Sequence, residues 1–222
     1  MLRHYLYHAL YTTMVLLLLN SCNQSSASKD GEPSSEVEAS LPGETATGSD
    51  TVSVPGETIS ENVPVSEEEM RQAALDGDVE KVRKLLDAGT NLNSPDQEGH
   101  TALMYAAFNG HTDIVLLLLN EGAVVDRRDL MGRTALLYAS TGPFPETVKL
   151  LLEKGAEPNI VDSGEHFSPL MHAAAEGNMN VVKILLEYGA DLSLTDVDND
   201  DAESFAREAG HLQVAEYLRS LR

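Results

Sequence analysis

Thr101-Ala102-Leu103-Met104-Tyr105-Ala106-Ala107, followed by Gly110-His111, Ile114-Val115, Leu117-Leu118 and Gly122-Ala123, is the stretch from which the rest of the chain can be read. Its essentials return as Thr134-Ala135-Leu136-Leu137-Tyr138-Ala139, Val148, Leu150-Leu151 and Gly155-Ala156. They return again as Ser168-Pro169-Leu170-Met171-His172-Ala173-Ala174, Gly177, Val181-Val182, Leu185-Leu186 and Gly189-Ala190. Gly89, Gly122, Gly155 and Gly189 are spaced by 33, 33 and 34 residues, and Gly77, Gly110, Gly177 and Gly210 by 33, 67 and 33. Self-similarity at a fixed period of this size means one supersecondary unit stacked on copies of itself.

The residue types say what the unit is. Thr101, Thr134 and Ser168 are good N-caps, each followed by a short apolar run. Gly110 and Gly177 permit the left-handed residue that ends the first helix, and the Gly122 series does the same for a second. The paired small residues Ala106-Ala107 and Ala173-Ala174 let helices of adjacent units approach closely, while Leu117-Leu118, Leu150-Leu151 and Leu185-Leu186 supply bulk. A single unit buries too little to stand alone and is stable only when stacked.

The Thr-Pro-Leu-His-type opening and Gly-Ala close resemble the ankyrin repeat over Ser66 to Arg222, 157 of the 222 residues. The resemblance implies an all-α ankyrin-repeat solenoid of about five helix-turn-helix units joined by short β-hairpin loops. The expected unit boundaries are 66–98, 99–131, 132–165, 166–198 and 199–222. The end units depart as caps do, with Glu67-Glu68-Glu69 in place of the usual opening and Glu203 where the inner units have Leu103, Leu136 and Leu170. Two inner departures stand out. Thr141-Gly142-Pro143-Phe144-Pro145 replaces the Gly-His turn and predicts a stiff, atypical junction. Asp162-Ser163-Gly164-Glu165-His166 carries one extra residue and predicts a remodelled tip.

Ahead of the repeats, Met1 to Asn20 has one cation, Arg3, and a short apolar run ending in Leu16-Leu17-Leu18-Leu19. It is too short to span a bilayer, which takes ~20 apolar residues, and it has the form of a secretory signal. Leu19-Asn20-Ser21-Cys22 resembles the lipobox of bacterial lipoproteins, and Cys22 is the only cysteine. The resemblance implies a signal peptide over 1–21 and lipidation of Cys22. It further implies a bacterial envelope location, with the periplasmic face of the outer membrane favoured over the inner membrane by Asn23. Residues 22–65 are rich in Ser, Glu, Thr, Gly and Pro. From Asn23 onward they carry eight acids against the one base Lys29. Such composition cannot offset chain entropy by burial, so a disordered tether is expected. Its root-mean-square reach would be about 35–40 Å.

Lys+Arg 15 against Asp+Glu 36, a net charge of −21, argues against nucleic acid, whose backbone requires compensating cations. It equally argues against a basic grip on anionic lipid, leaving the lipid anchor as the membrane contact. One cysteine excludes internal disulfides and any cysteine-based zinc site. His4 and His8 belong to the signal, and His111 and His211 follow the helix-ending glycines, where the family uses a structural hydrogen bond. His100, His166 and His172 lack a His-Glu-x-x-His spacing. Asp196 to Asp201 begins like a calcium loop, but the sixth position is Asp201 rather than Gly and the twelfth is Arg207 rather than Glu. No enzyme chemistry, metal or cofactor is expected.

By position in the family, partners dock on the concave side, made by loop tips and the exposed face of each first helix. Phe108, Leu130, Met131 and Phe167 place large apolar groups there, and Arg127, Arg128 and Arg133 cluster among them. Apolar residues and arginine within an acidic surround have the makeup of an interface centre. Tyr105, Tyr138, His172 and Phe205 share one helix position and either line the groove or pack between units. The expected function is a monomeric, lipid-anchored protein-binding module whose partner is a protein, with basic character suited to the acidic surround. The alternative is a dedicated inhibitor or protector against an envelope hydrolase or toxin.

Overall fold

The structure is a computed structural model and describes residues 67–222. The expected signal peptide at 1–21, Cys22 and the tether at 22–65 lie outside the described residues. All the described residues fall within one unit, Asn62–Arg222.

Ten helices follow one another in five antiparallel pairs among the described residues: α1 Glu67–Asp76 and α2 Val79–Asp87; α3 Ala102–Phe108 and α4 Thr112–Asn120; α5 Ala135–Ser140 and α6 Pro145–Glu153; α7 Pro169–Ala175 and α8 Met179–Glu187; α9 Ala202–Glu208 and α10 Leu212–Ser220. First helices stack on first helices (α1 on α3, α3 on α5, α5 on α7, α7 on α9), and α2, α4, α6 and α8 form a second row behind them. The loops between pairs are tight turns. No strand is formed among the described residues, and the nearest approach is an isolated antiparallel bridge between Thr195 and Asp201. None of these helices is long and apolar enough to cross a membrane.

The first helices are short because polar caps fix both ends. Thr101, Thr134 and Ser168 accept hydrogen bonds from the backbone N–H groups of Met104, Leu137 and Met171, satisfying donors that a helix start leaves orphaned. Asp201 plays the same part for Ser204 in the last unit. Between the caps, all of α5 and all but two residues of α3 and of α7 are buried. Leu103, Met104, Ala106 and Ala107 in α3, and Leu170, Met171, Ala173 and Ala174 in α7, are all essentially inaccessible. In α5 the position of Ala107 is held by Ser140, whose hydroxyl donates to the Leu136 carbonyl at 2.8 Å, so the burial leaves no polar group unmet. Each large side chain buried contributes roughly 1.5–3 kcal/mol. Ordering a unit of some 33 residues costs ~1–2 kcal/mol per residue, so one unit cannot fold by itself and stacking is obligatory.

The junction between α5 and α6 shows how an exceptional sequence is absorbed. Pro143 stands in register with Gly110, Phe144 with His111, and Pro145 opens α6 at its first position, where a missing N–H costs nothing. Elsewhere an imidazole lies over the helix-ending glycine of the preceding unit, His111 over Gly77 and His211 over Gly177; here the Phe144 ring lies over Gly110. His111 also bonds the Leu75 carbonyl at 3.0 Å. Phe144 carries no such group and fills the same space by packing alone.

The terminal units differ from each other. Glu67, Glu68 and Glu69 are exposed. Glu203, read from sequence as part of a polar outer cap, is instead only 7% exposed. Its Oε1 accepts from Arg207 at 2.9 Å and from Arg219 at 2.7 and 3.1 Å, and its Oε2 faces Arg222 at 3.5 Å. Where inner units cover a leucine with the next unit, the last covers a carboxylate with its own C-terminal arginines. The Arg219 bond keeps that carboxyl below the usual range.

Gly110 adopts φ 69°, and a Cβ there would stand 2.3 Å from the Phe144 ring, whereas Gly122, at φ 94°, has nothing within 4 Å. Gly122→Ala is therefore expected to cost only the backbone penalty, about 1–2 kcal/mol, and Gly110→Ala clearly more. Urea unfolding of the two variants side by side checks this, and equal losses would remove the packing role assigned to Phe144.

Candidate functional site

The loop tips are built from aspartates. Asp96 Oδ1 accepts from the backbone N–H groups of Glu98 and His100 at 3.0 and 2.7 Å. Asp129 Oδ1 does the same for Met131 and Arg133, both at 2.8 Å, and Asp196 Oδ1 for Asp198 and Asp200 at 2.9 and 2.8 Å. Each such carboxylate closes a turn by standing in for a backbone acceptor. In the tip with the extra residue, Asp162 Oδ1 accepts from Gly164, Glu165 and His166. The closing bond there runs from the Asp162 N–H to the Phe167 carbonyl, one residue further than the Asp129 to Arg133 pair. The insertion is thus held inside the turn, as the remodelled tip expected from sequence. The left-handed residue of successive tips is Gly99, Gly132, His166 and Asn199.

Backbone hydrogen bonds tie each tip to the next. Leu130 N–H donates to the Glu98 carbonyl at 3.0 Å, Ser163 N–H to Met131 at 2.8 Å, and Val197 N–H to Glu165 at 3.2 Å. With its backbone held on both sides, the Leu130-Met131 turn turns its side chains outward: Leu130 is 74% and Met131 52% exposed. Val197, the counterpart of Leu130 two tips on, is 50% exposed. Solvated aliphatic side chains in these positions gain nothing for the fold.

The seven candidate interface residues fall into two groups. Leu130, Met131 and Arg128 are exposed, and Arg127 is half-buried. Phe108, Phe167 and Arg133 are half-buried and engaged within the protein. Phe108 meets the Tyr138 ring edge-on at 6.1 Å, and Phe167 meets His172 at 5.7 Å and Phe205 at 5.2 Å. The shared aromatic position of Tyr105, Tyr138, His172 and Phe205 therefore packs between units. Arg133 bonds Asp129 Oδ2 at 2.9 Å and lies 5.0 Å from the centre of the Tyr138 ring.

Behind the exposed turn lies a connected set of charges that the sequence reading did not single out. Tyr105 and Tyr138 donate to Asp96 and Asp129, each at 2.6 Å. His100 stands between the two carboxylates. Its Nδ1 is 3.2 Å from Asp96, and its Nε2 is 3.5 Å from Asp129, an ion-pair distance longer than a good hydrogen bond. Burial alone favours the neutral ring, but the proximity of Asp129 and the charges of Asp96 and Asp129 outweigh it and hold the imidazole pKa above its ordinary 6.5. Burial would likewise raise the Asp129 carboxyl. The His100, Tyr138 and Arg133 contacts reverse that and take it down to about 2. Both tyrosine hydroxyls are pushed well above 10 by burial and by the carboxylates they bond. His172 goes the other way, down to about 4, through burial and the charge of Arg133, and is neutral at neutral pH.

Asp96, Glu98 and His100 bring one ligand-type atom each within 4.8 Å of one another. The triad is a proton site rather than an open coordination sphere, since Asp96 already accepts from Tyr105, from the His100 ring and from two backbone N–H groups. The Asp196 loop is similarly occupied, its first carboxylate bonding its own backbone and Asp201 paired with Arg222. A signal for these residues was present in the sequence. Asp96, Asp129 and Asp196 each stand three before the left-handed residue, at the repeat spacing.

The linkage signs follow from these shifts. Asp129, depressed in the fold, contributes stability that is complete above its unfolded value near 4 and is lost as pH falls through about 2. His100, raised, contributes stability that is complete below its unfolded value of 6.5 and is lost as pH rises through its folded value. Tyr138→Phe removes one charge-assisted bond from Asp129 and is expected to cost about 1.5–3 kcal/mol at neutral pH. It should also move the acid limb of the stability profile to higher pH, since the carboxyl loses a partner that lowers it. Thermal melts from pH 2 to pH 7 measure both.

The family model described as Ankyrin repeats (3 copies) matches residues 70–162 and again 144–221. No curated protein matches the chain.

Proposed function

Because the chain belongs to the ankyrin-repeat family, whose repeats generally serve as protein–protein interaction modules and whose members are typically non-enzymatic, we propose that it is a monomeric, non-enzymatic binding protein. It takes a protein partner on the face bearing the loop tips. The observation that carries this is the Leu130-Met131 turn, two large apolar side chains left exposed beside Arg128 on a backbone held rigidly from both sides. Rigid apolar anchors with a neighbouring arginine are what interface centres are made of, because little conformational entropy is lost on binding. Arg133 and, through Tyr138, Phe108 serve as the support behind that turn rather than as its contact, and Phe167 packs with His172 and Phe205.

The finer proposal places this domain on a lipid anchor. Leu19-Asn20-Ser21-Cys22 would direct diacylglyceryl transfer to Cys22, and the acidic stretch to residue 65 would hold the repeats off the bacterial membrane, with the periplasmic face of the outer membrane favoured. The second reading, an inhibitor or protector against a basic envelope hydrolase or toxin, is favoured by 28 acids against 13 bases over 66–222, which would steer a basic partner inward.

Three measurements test these proposals. Metabolic labelling with an alkyne fatty acid should mark the wild type and not Cys22→Ser; equal labelling, or none in either, removes the anchor. Arg128→Glu combined with Met131→Ala should leave helical circular dichroism unchanged and lower partner capture from crosslinked envelopes at least tenfold, since two interface anchors at about 1–2 kcal/mol each are lost. Undiminished capture by the folded double variant would remove the tip from the interface. Loss of a hydrolase's or toxin's activity on binding distinguishes the protector from an adaptor.

A further inference from the structure

The tip that displays Leu130 and Met131 is also the tip whose turn carboxylate faces a histidine from the preceding tip. Asp129 is fully buried at its side chain and divides its two oxygens between two tasks. Oδ1 holds the backbone N–H groups of Met131 and Arg133 and so shapes the turn. Oδ2 takes Tyr138, Arg133 and, at 3.5 Å, His100. His100 in turn is anchored on its other side by Asp96, which shapes the preceding tip in the same manner. One imidazole therefore touches both turn-forming carboxylates. Its neighbouring backbone is continuous with the displayed turn through the Leu130 to Glu98 hydrogen bond.

We propose that His100 is a proton-operated latch between two successive tips, tightening the turn that displays Leu130 and Met131 when the ring is protonated and loosening it when the proton leaves. The groups facing the ring are Asp96 and Glu98 from its own tip, Tyr105 from α3, Asp129 and Arg133 from the next tip, and Tyr138 from α5. A protonated ring donates toward a carboxylate from both nitrogens. A neutral ring has one donor only, so a bare nitrogen lone pair must then face Asp96 or Asp129. Arg133 pulls the other way, disfavouring the proton, but it is itself committed to Asp129. Burial keeps water from replacing the lost contact, since the His100 side chain is 12% exposed and that of Asp129 not at all. The consequence is that a partner selecting the tight turn binds better at mildly acidic than at alkaline pH, and by reciprocity raises the affinity of His100 for its proton. The latch rests on the proposed partner surface only for its use; it is read out below without any partner, so failure of the latch and failure of that surface are separate results.

The test is an NMR titration of the full chain carrying 13C-methyl methionine, with Met131→Leu to assign the Met131 methyl among the seven methionines. The His100 imidazole resonance is followed in the same samples. The expected result is one common midpoint for His100 and the Met131 methyl, above 6.5, with the methyl transition abolished in His100→Gln. A Met131 methyl that stays flat while His100 titrates overturns the proposal, and so does a transition that survives in folded His100→Gln. If His100→Gln does not fold, Asp96→Asn keeps the Oδ1 acceptor while removing one of the charges that raise His100. Both midpoints must then fall together, and a His100 midpoint that falls while that of Met131 stays is again contrary.

Discussion

The carboxylate of Asp129 is the point through which the middle of this protein is organised. One oxygen sets the turn before α5, and the other is met by Tyr138, Arg133 and His100. A buried anion needs such a set of partners, because desolvation without them would drive it to take up a proton or leave the interior. Their presence holds three things in place together. The turn fixes where α5 begins, Tyr138 fixes that helix against the tip, and His100 ties the unit to its predecessor. Asp96 repeats the arrangement one unit earlier with Tyr105 and His100. In the last loop Asp196 keeps only the backbone bonds, for position 205 there is a phenylalanine with no hydroxyl to offer. The shared aromatic position is thus hydrogen-bonded to the tip aspartates in the first half, at Tyr105 and Tyr138, and takes part in ring packing among Phe167, His172 and Phe205 in the second.

The repeat itself was legible because its constraints are severe. A glycine that must adopt positive φ, an alanine where two helices touch and a leucine under the next unit allow few replacements, so the spacing survives in plain sight. Less legible were positions where different side chains solve one problem. Phe144 fills the space that His111 and His211 fill elsewhere, and Ser140 satisfies its own hydroxyl where an alanine would be expected. Glu203 reads as a solvated cap residue until Arg207, Arg219 and Arg222 are seen around it. Phe144 meets Gly110 of the preceding unit, and Glu203 meets Arg219 and Arg222 at the chain's end, at distances in sequence that periodicity does not report, while Ser140 is satisfied within its own helix.

The candidate surface was legible in the same uneven way. Leu130 and Met131 were recognisable as large apolar residues in a loop, and the structure leaves them exposed. Phe108, Phe167 and Arg133 shared the same sequence signature, but aromatic edges and a buried carboxylate lie within their reach, and they are drawn into the protein. Position decides the difference: Leu130 and Met131 sit on the turn itself and stay exposed, whereas Arg133 stands next to the helix start, alongside Asp129 and Tyr138.

Beside the His100 contact, three links from tip to tip run through main-chain atoms, from Leu130 to Glu98, Ser163 to Met131 and Val197 to Glu165. No side chain takes part in them. The residues at 130, 131 and 197 can consequently be exchanged for others without moving the framework that carries them, and each exchange alters what is presented and little else. Such a frame separates inheritance of shape from inheritance of surface chemistry. Single substitutions along this row change the surface presented, while the aspartates beneath keep the row in the same place.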